Sequence, residues 1–151
     1  MRYARGVDTE LRDRWLHEAQ RRMSGAGLRA GAARTAVVEL LAREGQCLLS
    51  AAEITARLRE AGTGSAASVY RSLEELFALG LVHRFEGRDG VARFEIAEPD
   101  RHHHHFVDQD TGEVRPFTDD ALERTIAAVG RRLGVELTSH DIILRGRQAG
   151  R

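Results

Sequence analysis

The feature of the sequence that most constrains the fold is an amphipathic segment, Ser65 to Leu79, that stops at Gly80 and runs directly into two short strands. Helical spacing places four of its apolar side chains on one inward face. They are Val69, Leu73, Leu76 and Phe77. Alternation over 81–86 and 91–97 predicts the strands, joined by the turn Gly87-Arg88-Asp89-Gly90. A helix followed at once by a β-hairpin is typical of a winged helix-turn-helix domain.

Three more helices are predicted ahead of that segment. Apolar spacing indicates helices over roughly 9–24 and 32–44, and Ser50 with Glu53 forms a capping-box pair that opens the third. Residues 1–7 are predicted to be a mobile arm. In a winged-helix domain the last helix enters the major groove, so the pattern favours DNA binding, although many small helix-turn-helix domains bind protein instead.

The rest of the sequence predicts a small second domain. Residues 106–108 and 113–117 are expected to pair as a hairpin, followed by a helix over 119–133 and a last strand over 135–144 that carries His140. A three-stranded sheet with one helix buries little apolar surface alone, so this domain is expected to dimerise.

The predicted fold class is α+β, with an N-terminal winged helix-turn-helix domain followed by a small α/β dimerisation domain. The predicted limits are 1–97 for the DNA-binding domain, 98–101 for a hinge and 102–151 for the dimerisation and metal-binding domain. The sequence has no apolar run of membrane-spanning length and no signal peptide, and its one cysteine cannot form an internal disulfide. A cytoplasmic protein without a membrane partner is therefore expected.

The charged residues are unevenly placed along the chain. All 23 basic residues are arginine; residues 1–84 carry 13 Arg against 10 acidic residues, and residues 85–151 carry 10 Arg against 13. This asymmetry favours a polyanion as the partner of the first half and a cation as the partner of the second.

Four consecutive histidines, 102–105, open the second domain. In an extended strand, His103 and His105 share one face, and His102 and His104 share the other. Neutral imidazole is the commonest metal ligand near neutral pH, and two on one face provide half of a four-coordinate site. The run therefore predicts two half-sites back to back, with a solvated polar linker as the alternative.

An ordered series of motifs now resembles one known family across nearly the whole chain. The motifs are Gly27-Leu28-Arg29, Arg34, Ser50-Ala51-Ala52-Glu53-Ile54, Ser68-Val69-Tyr70-Arg71-Ser72-Leu73, Gly80-Leu81-Val82, Phe94-Glu95, the histidine run, Gly134 and Ser139-His140. The series resembles the ferric uptake regulator (Fur) family, whose recognition-helix signature is usually T-V-Y-R-T-L. The resemblance implies a dimeric, metal-dependent transcription regulator. The residues predicted to contact DNA are Arg29, Arg34, Ser68, Tyr70 and Arg71.

The resemblance also implies two metal sites. The family's site in the dimerisation domain corresponds here to His102, His104, Glu123 and His140. The family's inter-domain sensing site corresponds to Glu95, His103 and His105.

The sequence departs from the family at the sensing site. Leu48 stands where a helix-derived ligand is usual, and Pro116 stands where a further acid often adjoins the site. His83, in the first wing strand, is the candidate replacement ligand, with an exposed wing residue or a phosphate contact as its alternative role.

A second departure concerns the structural zinc. Most members carry C-x-x-C after the histidine run and a second pair near the C-terminus. The first pair corresponds to Asp108 and Thr111 here, and no cysteine follows Cys47. The sequence therefore predicts no four-cysteine zinc site, and Cys47 is expected to be a small core residue.

The predicted function is a metal-gated repressor that binds a palindromic double-stranded operator as a homodimer and controls metal homeostasis. The ligands are nitrogen and oxygen donors, so zinc is favoured in vitro, while Fe(II) or Mn(II) is allowed in vivo. One alternative is a metal-blind DNA-binding module, suggested by Leu48 and Pro116. Another is a His/Glu zinc hydrolase, but no nucleophile–base pair accompanies the histidines, so an enzyme is not expected.

Overall fold

The computed structural model describes the backbone of residues 2–3 and all of residues 9–98 and 103–149. The chain divides into two compact units, one within residues 6–100 and the other within residues 101–151 together with the amino-terminal strand β1 (Arg2–Tyr3). Of the predicted hinge, 98–101, only Glu98 lies among the described residues, so the domain limits stay a prediction. Within the described residues no helix is both long and apolar enough to cross a bilayer.

The first unit is a winged helix-turn-helix, which confirms the predicted fold class for this part. Its elements are α1 (Thr9–Gly25), α2 (Ala32–Glu44), β2 (Leu49–Ser50), α3 (Ala51–Glu60), α4 (Ala66–Ala78), β3 (Val82–Glu86) and β4 (Ala92–Ile96). The strands form an antiparallel sheet in the order β2-β4-β3. Helix α4 is the predicted recognition helix, and the β3–β4 hairpin is the wing.

Local hydrogen bonds explain where these helices begin and end. The Ser50 hydroxyl accepts from the Glu53 amide, and the Glu53 carboxylate accepts from the Ser50 amide, which completes the predicted capping box. Ser65 caps α4 through its contact with the amide of Ser68. Gly80, whose φ is +68°, ends α4. Its left-handed conformation turns the chain so that the amides of Gly80 and Leu81 donate to the carbonyls of Phe77 and Leu76, in the last turns of the helix.

The core of the first unit lies between the helices and the sheet. Val69, Leu73 and Leu76 are fully buried, but Phe77 is 44% exposed, so its predicted inward orientation is wrong. At about 100° per residue, Phe77 lies about 80° around the helix from Val69, at the edge of the apolar stripe. Ser72, at the other edge of the apolar stripe, is buried instead.

The second unit contains a mixed sheet and one helix. Its elements besides β1 are β5 (His104–Asp108), β6 (Val114–Thr118), α5 (Asp120–Leu133) and β7 (Ile143–Gly146). The sheet order is β1-β6-β5-β7, in which only the β5–β7 pair is parallel. The hairpin and helix confirm the prediction for this unit.

The last strand is shorter than predicted, and His140 precedes it. Residues 135–142 do not form a strand, because this segment turns back along α5. The Val135 amide donates to the Gly130 carbonyl, and a methyl group added at Gly130 would lie 2.9 Å from the Cγ of Leu137. Pairing with β5 therefore starts only at Ile143, opposite His105.

The amino terminus also differs from the prediction. Residues 1–7 were expected to form a mobile arm, but the backbone of Arg2–Tyr3 pairs with Thr118 and Phe117 of β6. This adds a fourth strand to the predicted three. Without β1, β6 would be the edge strand of the sheet. The unpaired amides and carbonyls of an edge strand readily accept another strand.

Candidate functional site

One carboxylate in the second unit joins two imidazoles. The Nε2 of His104 lies 2.5 Å from Oε1 of Glu123, and the Nε2 of His140 lies 3.1 Å from Oε2 of the same residue. The two rings have centroids 5.3 Å apart. Their donor atoms all lie within 4.8 Å of one another. Two imidazole nitrogens and a carboxylate are a donor set that suits zinc and other divalent first-row metals, so these residues fit a metal ion.

Three different elements bring these ligands together. His104 begins β5 opposite Phe117, whose ring lies 5.5 Å away, and the imidazole is only 1% exposed. Glu123 lies in the first turn of α5, a position set by the cap at Asp119. The segment that carries His140 is held close to β5 because the His105 amide donates to the carbonyl of the residue before β7.

The helix that carries Glu123 is capped by the carboxylate of Asp119. Asp119 accepts hydrogen bonds from the amides of Leu122 and Ala121 at 3.1 and 2.9 Å. These bonds, the one from Leu122 first, lower the pKa of Asp119 below its ordinary value. A negative charge at the N-terminus of α5 also suits the helix dipole. The fourth predicted ligand of this site, His102, lies outside the described residues.

The predicted sensing residues are described within each unit separately. In the second unit, His103 and His105 are half-buried and their ring centroids lie 4.9 Å apart at an angle of 78°. They are therefore neighbours, as strand alternation predicts. In the first unit, Glu95 of β4 is 3% exposed and lies directly opposite His83 of β3.

The structure shows where the residues that depart from the family pattern lie. Leu48 and Pro116 are both buried. His83 is exposed, and its register with Glu95 places the two side chains on the same face of the wing sheet. Its role as a ligand stays a prediction.

The turn at the expected cysteine positions is closed by hydrogen bonds to Asp108. Asp108 is 4% exposed, and its Oδ1 accepts from the amides of Asp110 and Thr111 at 2.9 and 3.3 Å. Arg115 also approaches Asp108, at 3.8 Å. The aspartate thus organises the β5–β6 turn with hydrogen bonds, in a chain whose one cysteine cannot supply a four-cysteine site.

The outer face of α4 presents two of the predicted DNA contacts. Tyr70 is 56% exposed, and Arg71 is exposed as well. Ser68 is half-buried, and its hydroxyl lies 3.0 Å from that of Ser65. Arg29 is exposed in the α1–α2 connection.

Arginines of the first unit pair with its acidic residues, Arg34 and Arg93 among them. Arg34 pairs with Glu75 of α4, an interaction that the sequence did not predict because 41 residues separate the partners. In the wing, Arg93 bonds to Asp89 and, as the largest cause, lowers the pKa of that carboxyl to about 2. An ion pair between Arg93 and Asp89 therefore spans the wing turn.

Known proteins resemble this chain in sequence and in fold. The family described as the ferric uptake regulator family matches residues 25–145. The ferric uptake regulation protein of Pseudomonas aeruginosa is 38% identical over 122 residues, which cover 79% of this chain and 89% of that protein.

Two solved structures extend the likeness to the fold. The ferric uptake regulator from Pseudomonas aeruginosa with manganese has a TM-score of 0.65 and 34% identity, covering 86% of this chain and 97% of that one. The Helicobacter pylori ferric uptake regulator, described as having three functional metal binding sites, has a TM-score of 0.77 and 27% identity, covering 96% and 95%. Since the family match spans both the winged helix and the histidine-bearing unit, this chain belongs to the ferric uptake regulator family.

Proposed function

We propose that the protein is a metal-responsive transcriptional repressor that binds a palindromic operator as a homodimer. The observation that carries the proposal is the combination, in one chain of this family, of a winged helix with Tyr70 and Arg71 exposed on α4 and a cluster of side chains that could hold a metal ion, of which His104 is buried and Glu123 and His140 are half-buried. A recognition helix needs an exposed polar face to reach base edges and phosphates.

The metal proposed is a divalent first-row ion. His104, Glu123 and His140 provide converging donors, and His102 is proposed as the fourth. The all-N/O set binds zinc more tightly than Fe(II) or Mn(II), so zinc is expected to be retained in vitro. A solved relative carries manganese, which supports a role for ions other than zinc.

The sensing site is proposed to join the two domains. Its ligands are Glu95 of the wing and His103 with His105 of the dimerisation domain, with His83 as an added donor. A bound ion would link the two domains and so favour the one arrangement in which all its ligands can reach it. We propose that this same arrangement is the one that binds DNA.

A homodimer is supported by apolar surface on the second unit. Four large apolar side chains there are 43–68% exposed in the single chain. They are Leu133, Val135, Leu137 and Leu144. A second copy of the chain would cover these side chains and place two recognition helices on a palindrome.

The direct test of this function uses the recognition helix. Tyr70→Ala is expected to reduce discrimination between operator and random duplex by about tenfold, because a tyrosine on the outer face of α4 can contact base edges. Arg71→Ala is expected to weaken binding to all duplexes and to lower the slope of log Kd against log salt by about 1, as loss of a phosphate contact does. Fluorescence anisotropy over a salt series measures both. The control is His17→Ala, an exposed residue of α1; unchanged affinity in both recognition-helix variants would contradict the proposed function.

The wing histidine provides a second test. His83→Ala is expected to raise the metal concentration needed for operator binding by roughly tenfold, or about 1.4 kcal/mol, because one donor is lost. Its exposed position opposite Glu95 predicts little effect on folding. Metal titrations of operator binding measure the shift, and a wild-type titration curve would show that His83 is not a ligand.

A further inference from the structure

The guanidinium of Arg34, at the start of α2, connects two other elements of the winged helix. Its Nε donates to Oε2 of Glu75 at 2.8 Å, and its Nη2 lies 2.6 Å from the same oxygen. Its Nη1 donates to the backbone carbonyl of Arg29. Donors on three nitrogens of one side chain are thus committed to the recognition helix and to the α1–α2 connection.

The burial of this ion pair separates Arg34 from the other predicted DNA contacts. The side chains of Arg34 and Glu75 are 18% and 24% exposed. By contrast, Arg29 and Arg71 are exposed, and neither has an ion-pair partner among residues 9–98 and 103–149. If Arg34 turned to a phosphate, the Glu75 carboxylate would lose its cation while half-buried, which is costly.

The positions of the two partners give the pair a geometric role. Glu75 follows Arg71 by one helical turn on α4, and the Arg29 carbonyl belongs to the segment that presents the Arg29 side chain. The Arg34 guanidinium therefore links the α1–α2 connection, which carries Arg29, to α4, which carries Tyr70 and Arg71. Side chains held in place before binding lose less conformational entropy when they bind.

We propose that Arg34 and Glu75 are positioning residues for DNA recognition, and that Arg34 is not a phosphate contact. This inference rests on the proposed DNA-binding function. It replaces the role predicted for Arg34 from the sequence and assigns a role to Glu75, which the sequence analysis did not single out. Together they hold the α1–α2 connection against α4, so that Arg29, Tyr70 and Arg71 engage one half-site together.

The two possible roles of Arg34 predict opposite effects of Glu75→Gln on DNA affinity. If the pair positions α4, removing the carboxylate weakens operator binding about tenfold, although it removes a negative charge from the DNA-binding domain. If Arg34 is a phosphate contact, the same change frees it and tightens binding to every duplex. The measurement is anisotropy of the full-length, metal-loaded protein on an operator selected from a random duplex pool by the wild-type protein, and on a random duplex.

The substitution Arg34→Gln provides a second test of the same proposal. A positioning role predicts that operator affinity falls about tenfold with an unchanged salt slope and little change on random duplex. A phosphate contact predicts an equal loss on both duplexes and a slope lower by about 1. The double variant with Glu75→Gln is expected to be no weaker than either single variant, because both changes break the same interaction.

The matched control is Glu74→Gln on the same helix. Glu74 is 57% exposed and contacts Arg84 of the wing at 3.4 Å, so the substitution removes the same charge without touching the Arg34 pair. It is expected not to weaken operator binding. Thermal unfolding checks that Glu75→Gln stays folded; a folded Glu75→Gln variant that binds the operator as tightly as wild type overturns the positioning role. If the wild-type protein selects no operator, the proposed function fails instead.

Discussion

The double variant His104→Ala with His140→Ala is expected to lose one metal ion per chain and to dissociate at concentrations where the wild-type protein stays dimeric. Both imidazoles lie within 3.1 Å of the Glu123 carboxylate, so the double change leaves that carboxylate without its two nitrogen partners. Loss of two direct ligands costs more than the roughly 10- to 100-fold in affinity lost with an outer-shell partner. Elemental analysis and sedimentation velocity measure the two effects.

The control for this variant is again His17→Ala, which removes an exposed imidazole from α1. Its metal content and sedimentation coefficient are expected to match those of the wild type. If the double variant keeps its full metal content, the cluster of His104, Glu123 and His140 is not a metal site. If it loses the ion but stays dimeric, apolar packing alone holds the dimer.

The second large effect is expected from His103→Ala with His105→Ala. The wild-type protein should bind its operator about 5- to 150-fold more tightly with metal than with chelator, the usual range for an effector coupled to binding. In the variant this ratio is expected to fall to about 1, because the two neighbouring imidazoles that would hold the sensing ion are gone. Operator titrations with and without chelator measure the ratio.

A second variant makes this result specific. Glu95→Gln is expected to reduce the same ratio, while the ion held by His104 and His140 remains in both variants. A full metal response without His103 and His105 would place the sensor elsewhere. Equal operator affinity in the wild-type protein with and without metal would favour a metal-blind DNA-binding module, the alternative suggested by the buried Leu48 and Pro116.

Sequence reasoning succeeded where the interactions are local. The Ser50–Glu53 capping box and the end of α4 at Gly80 each depend on hydrogen bonds within about one turn. The neighbouring rings of His103 and His105 follow from the two-residue period of an extended chain. Such features are encoded by neighbours along the chain, so they can be predicted without knowing what packs against them.

Other features depended on contacts between distant residues. Phe77 is exposed because packing selected the other edge of the α4 stripe, and β7 is short because Leu137 folds back on Gly130 of α5. Helical periodicity and β-propensity cannot predict these two features, because each depends on which surface of another element is available for packing.

The arginine pair shows the same limit at the functional surface. An arginine near a recognition helix has the same local sequence whether it contacts phosphate or a carboxylate. Only the approach of Arg34 to Glu75, 41 residues away, reveals that its donors are already engaged. The residue types of the proposed metal and DNA sites were readable from the chain, but the partner of each charge was decided by the tertiary structure, because electrostatic pairing depends on distance in space and not on distance along the sequence.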